Sequence, residues 1–259
     1  MSLSGLDSVP RIGCVPYLNA RPLLEGLGYP VTERVPAQLE NLFLEGKLDV
    51  ALLSSVDVLT MPKPEVVDAI SISCRGPVQS VLLAYTGELS DLRSVQLDPS
   101  SHTSNLLAQI ILGEFYGLDL EYVHLTERID INPPLIVIGD PALSLSKRPS
   151  HPGMKFLDLG GEWVHHTGLP FVFALWSLRN DFTEKELISQ HLREAKACGL
   201  ASLERIASGT PDPEFTSTYL GGSIRYDLGE EEKRGLECFR SFAKKINHDI
   251  KDEYKITYF

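Results

Sequence analysis

Leu48-Asp49-Val50-Ala51-Leu52-Leu53 runs directly into Ser54-Ser55, and the reading of this stretch decides the fold. Apart from Asp49 it is continuously apolar, and it is too short for a helix. A strand that is apolar on both faces belongs to a parallel sheet covered by helices. Just upstream, Gln38 to Glu45 has helical spacing (Leu39, Leu42, Phe43) and stops at Gly46. Further back, Arg11-Ile12-Gly13-Cys14-Val15 forms a short strand ending at Pro16. Pro22 and Leu23 then open a helix, because proline suits a first helical turn. Strand, helix and strand in this order predict a doubly wound α/β architecture.

Downstream, strands are predicted at Val78 to Tyr85, Ser94 to Leu97, Leu135 to Ile138 and Phe171 to Leu178. Between the second and third, Asp98-Pro99-Ser100-Ser101-His102-Thr103-Ser104 leads into Leu106, Leu107, Ile110 and Ile111 at helical spacing. From Thr183 onward the chain turns helical. Leu187, Ile188, Leu192 and Ala195 mark one apolar helix face, and Leu236, Phe239, Ala243 and Ile246 another. Pro211-Asp212-Pro213 and Gly221-Gly222 read as breaks between them. This order implies a two-lobed α/β protein: a first lobe over residues 9–86, a second over 87–173, and a return to the first over 174–259. The two chain crossings, near Ser80 to Thr86 and Leu169 to Ala174, would form a hinge that closes the lobes on a ligand.

At 259 residues the chain suits one large domain or two modest lobes, and 43% hydrophobic with 23% charged residues is ordinary globular composition. No apolar run approaches the roughly 18 to 20 residues of a membrane span. A net charge of −11 argues against nucleic acid or an anionic membrane as partner. It also means that an anionic ligand must be held by local dipoles and a few cations. Residues 1–8 lack the basic start and apolar stretch of a secretory signal and are set aside as a leader. Cys14, Cys74, Cys198 and Cys238 are scattered, without zinc-like spacing, and read as reduced thiols of a cytoplasmic protein.

Four stretches place short polar residues at strand ends, where α/β sheets bind ligands: Pro16-Tyr17-Leu18-Asn19, Ser54-Ser55, Ser100 to Ser104, and Gly139-Asp140. Ser101 to Ser104 reads either as a plain N-cap or as an anion cradle of backbone N–H groups, helix dipole and hydroxyls. Tyr17 and Asn19 read equally as turn residues or as ligand contacts, and Ser54 and Ser55 as contacts or as backbone satisfiers. Arg21 and Arg75 are the cations best placed by sequence to meet a carboxylate. His165-His166 are adjacent and, on a strand, would face opposite sides, so they make a poor metal pair. There is no zinc-protease, dinucleotide, phosphate-loop or serine-hydrolase motif, and nothing calls for a metal or cofactor.

The ordered set of motifs resembles one family. Arg11-Ile12-Gly13, Tyr17-Leu18-Asn19, Arg21-Pro22-Leu23 and Gly46 through Ser55 are similar to segments of the chorismate dehydratases of menaquinone biosynthesis (the futalosine pathway). So are Gly76-Pro77-Val78-Gln79-Ser80-Val81, Ser101-His102-Thr103-Ser104, Ile138 through Leu143, and Thr167 through Ala174. The resemblance covers roughly residues 11–180. It implies the type II periplasmic-binding-protein fold. It also implies that Asn19 is catalytic and that Ser80, Ser101, Thr103 and Ser104 bind substrate. Tyr17, Ser54, Ser55, His102, Gly139 and Asp140 complete the expected substrate contacts.

The reaction implied is loss of water from chorismate to give 3-[(1-carboxyvinyl)oxy]benzoate, with no cofactor. Asn, Ser and Thr offer donors but no good base, which is compatible with the substrate's own enolpyruvyl carboxylate taking the proton. His102 is the rival base. The expected partner is the small-molecule substrate, and the expected assembly a monomer or homodimer. Two other readings share the fold: a solute-binding protein for a small carboxylate, and the related dihydroxynaphthoate-forming enzyme.

Overall fold

The computed structural model describes residues 9–124 and 133–259. Val50–Ser54 is a strand, β3, buried along its whole length. It forms because its side chains bury apolar area on both faces of a sheet. With β1 (Ile12–Cys14) and β2 (Val31–Glu33) it makes a parallel set, β1 lying between the other two. Helix α1 (Pro36–Leu44) connects β2 to β3, with proline in its first turn and Leu39 and Phe43 buried. Helix α2 (Ser55–Thr60) follows β3 without a gap, capped by Ser54. Strand β4 (Glu65–Cys74) closes the first pass.

The second sheet holds β5 (Val81–Tyr85), β6 (Ser94–Leu97), β7 (Glu121–His124), β8 (Leu135–Ile138) and β9 (Lys155–Asp158), in the order β7-β6-β8-β5-β9. Its helices are α3 (His102–Ile110), extended by a wider π turn over Ile111–Phe115, then α4 (Gly139–Lys147) and α5 (Leu159–Thr167). Strand β10 (Phe171–Leu178) re-enters the first sheet, which runs β11-β4-β10-β3-β1-β2 once β11 (Thr257–Tyr258) is added. Each sheet thus contains a strand that arrives from the other and pairs antiparallel with its neighbours. These are β10 between β3 and β4, and β5 between β8 and β9.

Sheet membership differs from the sequence expectation at both crossings. Strand β5 lies in the second sheet, not with residues 9–86, and β10 lies in the first sheet from Phe171 onward, not with 87–173. The chain passes between sheets over residues 75–80 and 159–170, before each long apolar strand begins. A continuous apolar run does not reveal which of two sheets it enters. Pro22 also differs. It lies inside a short 3-10 turn, Leu18–Leu23, that follows β1 directly, and no α-helix opens there.

Pleating divides β5 between two cores. Val81 and Leu83 join the main core, while Leu82 and Ala84 pack with Ala142 and Leu145 of α4. The tail is helical as its spacing predicts: α6 (Lys185–Ala201), α7 (Leu203–Ser208), α8 (Pro213–Thr218) and α9 (Glu230–Ile246). Helix α9 buries Leu236, Phe239 and Ala243 and packs on both β10 and α3, joining the two halves. Among the described residues no helix is long and apolar enough to cross a membrane.

Candidate active site

The carboxyl ends of the parallel strands meet between the two sheets and line a cavity. The first half contributes Tyr17 and Asn19 from the turn after β1, Ser54 from the end of β3, and an apolar wall of Leu52, Ile72 and Phe173. The second half contributes Ser80, then Ser101, Thr103 and Ser104 at the start of α3, and Ile138 and Gly139 where β8 becomes α4.

At α3 the N-cap signal is realised. Ser101 Oγ accepts the Ser104 N–H at 3.2 Å and donates to Ser104 Oγ at 3.0 Å. Thr103 turns its hydroxyl toward the other half. It accepts the Val56 N–H at 2.8 Å and donates to Ser54 Oγ at 3.0 Å. The first turn of α3, where a helix leaves N–H groups without intrahelical partners, lines the cavity together with these hydroxyls, an arrangement suited to an anion.

Ser80 stands at the crossing and is held from three sides. The Asp158 carboxylate caps α5 through Gly161 N at 2.9 Å and also accepts Val78 N at 3.0 Å and Gln79 N at 2.6 Å. Burial raises the Asp158 pKa above the usual carboxylate value, and these N–H donors pull against that rise. Gln79 has φ +63, a left-handed conformation that strains a residue with a side chain, and its amide donates to Ser223 Oγ at 2.7 Å. The buried Tyr219 hydroxyl hydrogen-bonds Ser80, while burial pushes the phenol well above its ordinary pKa. Tyr219 and Ser223 belong to a π turn, Tyr219–Ser223, which turns both side chains toward the crossing. The sequence reading took Gly221-Gly222 in this turn as a break and missed both residues.

The Leu18–Leu23 turn closes the opposite wall. Its Leu18 N–H donates to Asp140 Oδ1 at 3.0 Å, across the two halves. Beside it, Tyr17 lies flat against Gly139, whose φ is +64 and where a Cβ would come within 2.8 Å of the Tyr17 ring. Asn19 lines the cavity with its Oδ1 buried and without a hydrogen-bond partner among the described residues. An orphaned buried acceptor costs about 1–3 kcal/mol, so this amide oxygen is held where water or a ligand in the cavity must satisfy it.

Three of the predicted site residues lie outside the cavity. Ser55 is fully buried and its hydroxyl donates to the Val172 carbonyl at 2.6 Å. Asp140 serves as the clamp on Leu18 and faces a separate surface cleft that also contains Arg21. His102 points away behind α3, with Nδ1 2.7 Å from Asp57 Oδ1. Hydrogen bonding to Asp57 raises its pKa above the ordinary 6.5, against burial. Arg75 is spent on Glu231 and Glu232. His165 and His166 lie in the last turn of a helix, not on a strand. All four cysteines are free, and burial pushes the Cys74 thiol up to about 12. Among the described residues, the cavity is lined by no carboxylate, imidazole, ammonium or guanidinium group.

A sequence model described as "Menaquinone biosynthesis" matches residues 10–245. The chain belongs to that family. Within this menaquinone-biosynthesis family it is 30% identical to the chorismate dehydratase of Thermus thermophilus over 253 residues, covering 88% of this chain and 93% of that one. It is 27% identical to the chorismate dehydratase of Campylobacter jejuni, covering 89% and 92%. Solved structures share the fold at low identity. Protein AF1704 of Archaeoglobus fulgidus superposes with a TM-score of 0.73 at 16% identity, covering 91% of this chain and 97% of that one. The alkanesulfonate-binding protein SsuA of Xanthomonas axonopodis gives 0.66 at 15% identity, covering 98% and 100%. These likenesses bear out the periplasmic-binding-protein type of fold expected from the sequence.

Proposed function

We propose that the protein dehydrates chorismate to 3-[(1-carboxyvinyl)oxy]benzoate, in the cytoplasm and at the start of the futalosine route to menaquinone. The observation that carries this reading is the cavity's composition: the buried, unsatisfied Asn19 Oδ1, a set of hydroxyls, two helix starts, apolar walls and, among the described residues, no charged side chain. Hydrolysis or phosphoryl transfer would need a base or cation at the reacting atoms. Elimination from chorismate needs neither from the protein. The ring proton beside the enolpyruvyl ether is acidified through the diene by the ring carboxylate. Removing it leaves a delocalised anion, whose electron pair expels the neighbouring hydroxyl and makes the ring aromatic.

The proton goes to the substrate's own enolpyruvyl carboxylate, and it leaves with the hydroxyl as water. In this reading the start of α3, with Ser101 and Ser104, and Ser80 bind the carboxylates, while Asn19 orients the reacting end. His102 is not the base in this scheme, because it faces away from the cavity. The two halves close over the substrate through the Tyr17–Gly139 and Leu18–Asp140 contacts.

Chorismate incubated with the protein should lose one water by mass and gain an aromatic spectrum. A protein that binds chorismate and releases it unchanged would instead be a solute-binding protein of the same fold.

A further inference from the structure

On the far side of α3 from the cavity, three helices bring together three metal-ligating side chains. Glu40 of α1, Asp57 of α2 and His102 of α3 each offer a ligand atom, all within 4.8 Å of one another. His102 Nδ1 lies 2.7 Å from Asp57 Oδ1 and 3.4 Å from Glu40 Oε2. Two carboxylates are thus forced together with a single imidazole between them, and no lysine or arginine is among the described residues lining this cleft. Asp57 is 1% exposed, and its Oδ2 is buried without a hydrogen-bond partner among the described residues. A buried carboxylate oxygen left unsatisfied in such a place is costly unless something positive meets it. The cleft remains open to solvent on the side of His102, whose side chain is 47% exposed, and His124 and His248 line the same opening.

We propose that Glu40, Asp57 and His102 form a binding site for a divalent cation of the zinc class that ties α1 and α2 of the first half to α3 of the second. Imidazole with two carboxylates is a donor set that suits such an ion, with water completing the coordination. In the present geometry a proton joins His102 to Asp57. An ion would take its place, and the Nδ1–Oδ1 pair would widen by about 0.6 Å to reach tetrahedral ligand spacing at zinc. The site lies one residue from Ser101 and Thr103, directly behind the turn that faces the cavity. An ion there would hold the two halves together without touching a ligand in the cavity. Nothing in this proposal depends on which reaction the cavity performs.

The test is titration of the chelator-stripped full chain with Zn²⁺ by calorimetry, in a Cys198→Ser, Cys238→Ser background so that accessible thiols do not compete. Thermal melting and the visible absorption of Co²⁺ serve as second readouts. The expected result is one ion per chain, a raised Tm on binding, and d–d bands showing nitrogen and oxygen ligation. His102→Ala and Glu40→Gln should each weaken binding by more than about tenfold. Both side chains reach solvent, and metal-free melting will show that the variants fold. Absence of binding under a large excess of Zn²⁺, or one-per-chain binding that neither variant weakens, would overturn the proposal.

Discussion

Gly139→Ala separates the closing of the cleft from the stability of the fold. Gly139 has φ +64, so any side chain there costs about 1–2 kcal/mol in backbone strain. Its new Cβ would also lie 2.8 Å, 2.9 Å and 3.0 Å from Cδ1, Cε1 and Cγ of the Tyr17 ring. The backbone strain is present whether the halves are together or apart. The clash exists only when Tyr17 of the first half rests on α4 of the second. Relieving it by overpacking costs about 1–3 kcal/mol, which corresponds to about a 5- to 150-fold fall in kcat/KM. Gly87→Ala is the control. Gly87 has φ +75 with nothing within 4 Å of the added Cβ, so it carries the strain alone. Both variants should lose about 2–8 °C in Tm, and only Gly139→Ala should lose activity on chorismate. Equal kcat/KM in the two variants would refute the role of the Tyr17–Gly139 contact in forming the site.

Asn19→Ala should lower kcat by about 10²-fold or more on chorismate, as expected for an orienting group acting in the transition state. Its Tm should not fall and is expected to rise, because the substitution removes a buried unsatisfied acceptor, and calorimetry will show the sign. Thr103→Val keeps the shape but strips the Val56 N–H of its acceptor, costing about 1–3 kcal/mol in chemical denaturation. Asp49 tests the electrostatics of the first sheet. Burial works against its ionisation, yet its bonds to Arg11, with Arg179 nearby, outweigh that and hold its pKa below the ordinary 3.8. A carboxyl lowered by folding stabilises above its unfolded pKa, and that stability is lost as pH falls through the folded value. Asp49→Asn should therefore be less stable than the wild type near neutrality, and the gap should close in acid melts.

Much of the fold was legible because its strands are apolar enough to identify themselves. Ser94–Leu97, Leu135–Ile138 and Phe171–Leu178 have the expected bounds, and β3 differs only at its ends. Strand β4 was not, because Ser71 and Ser73 interrupt its pattern. Both are buried, and their hydroxyls donate to the carbonyls of Asp227 and Arg225 on a distant segment. In the site, the polar stretches at strand ends led to the right loops, but not always to the right side chain. Ser101, Thr103 and Ser104 face the cavity while His102 between them faces away, and Gly139 lines it while Asp140 clamps Leu18. Neighbours on a helix differ by about 100° in direction, and only packing shows which side is the ligand's. Glu40 and Asp57 join His102 across sequence gaps that carry no spacing signal.

The central claim is that the cavity orients chorismate while the substrate removes its own proton. The most direct test is a chorismate analogue whose enolpyruvyl carboxylate is replaced by the neutral carboxamide. It should occupy the site in competition with chorismate and yield no aromatic product. Aromatisation of this analogue at a rate near that of chorismate would contradict the account and require a base from the protein.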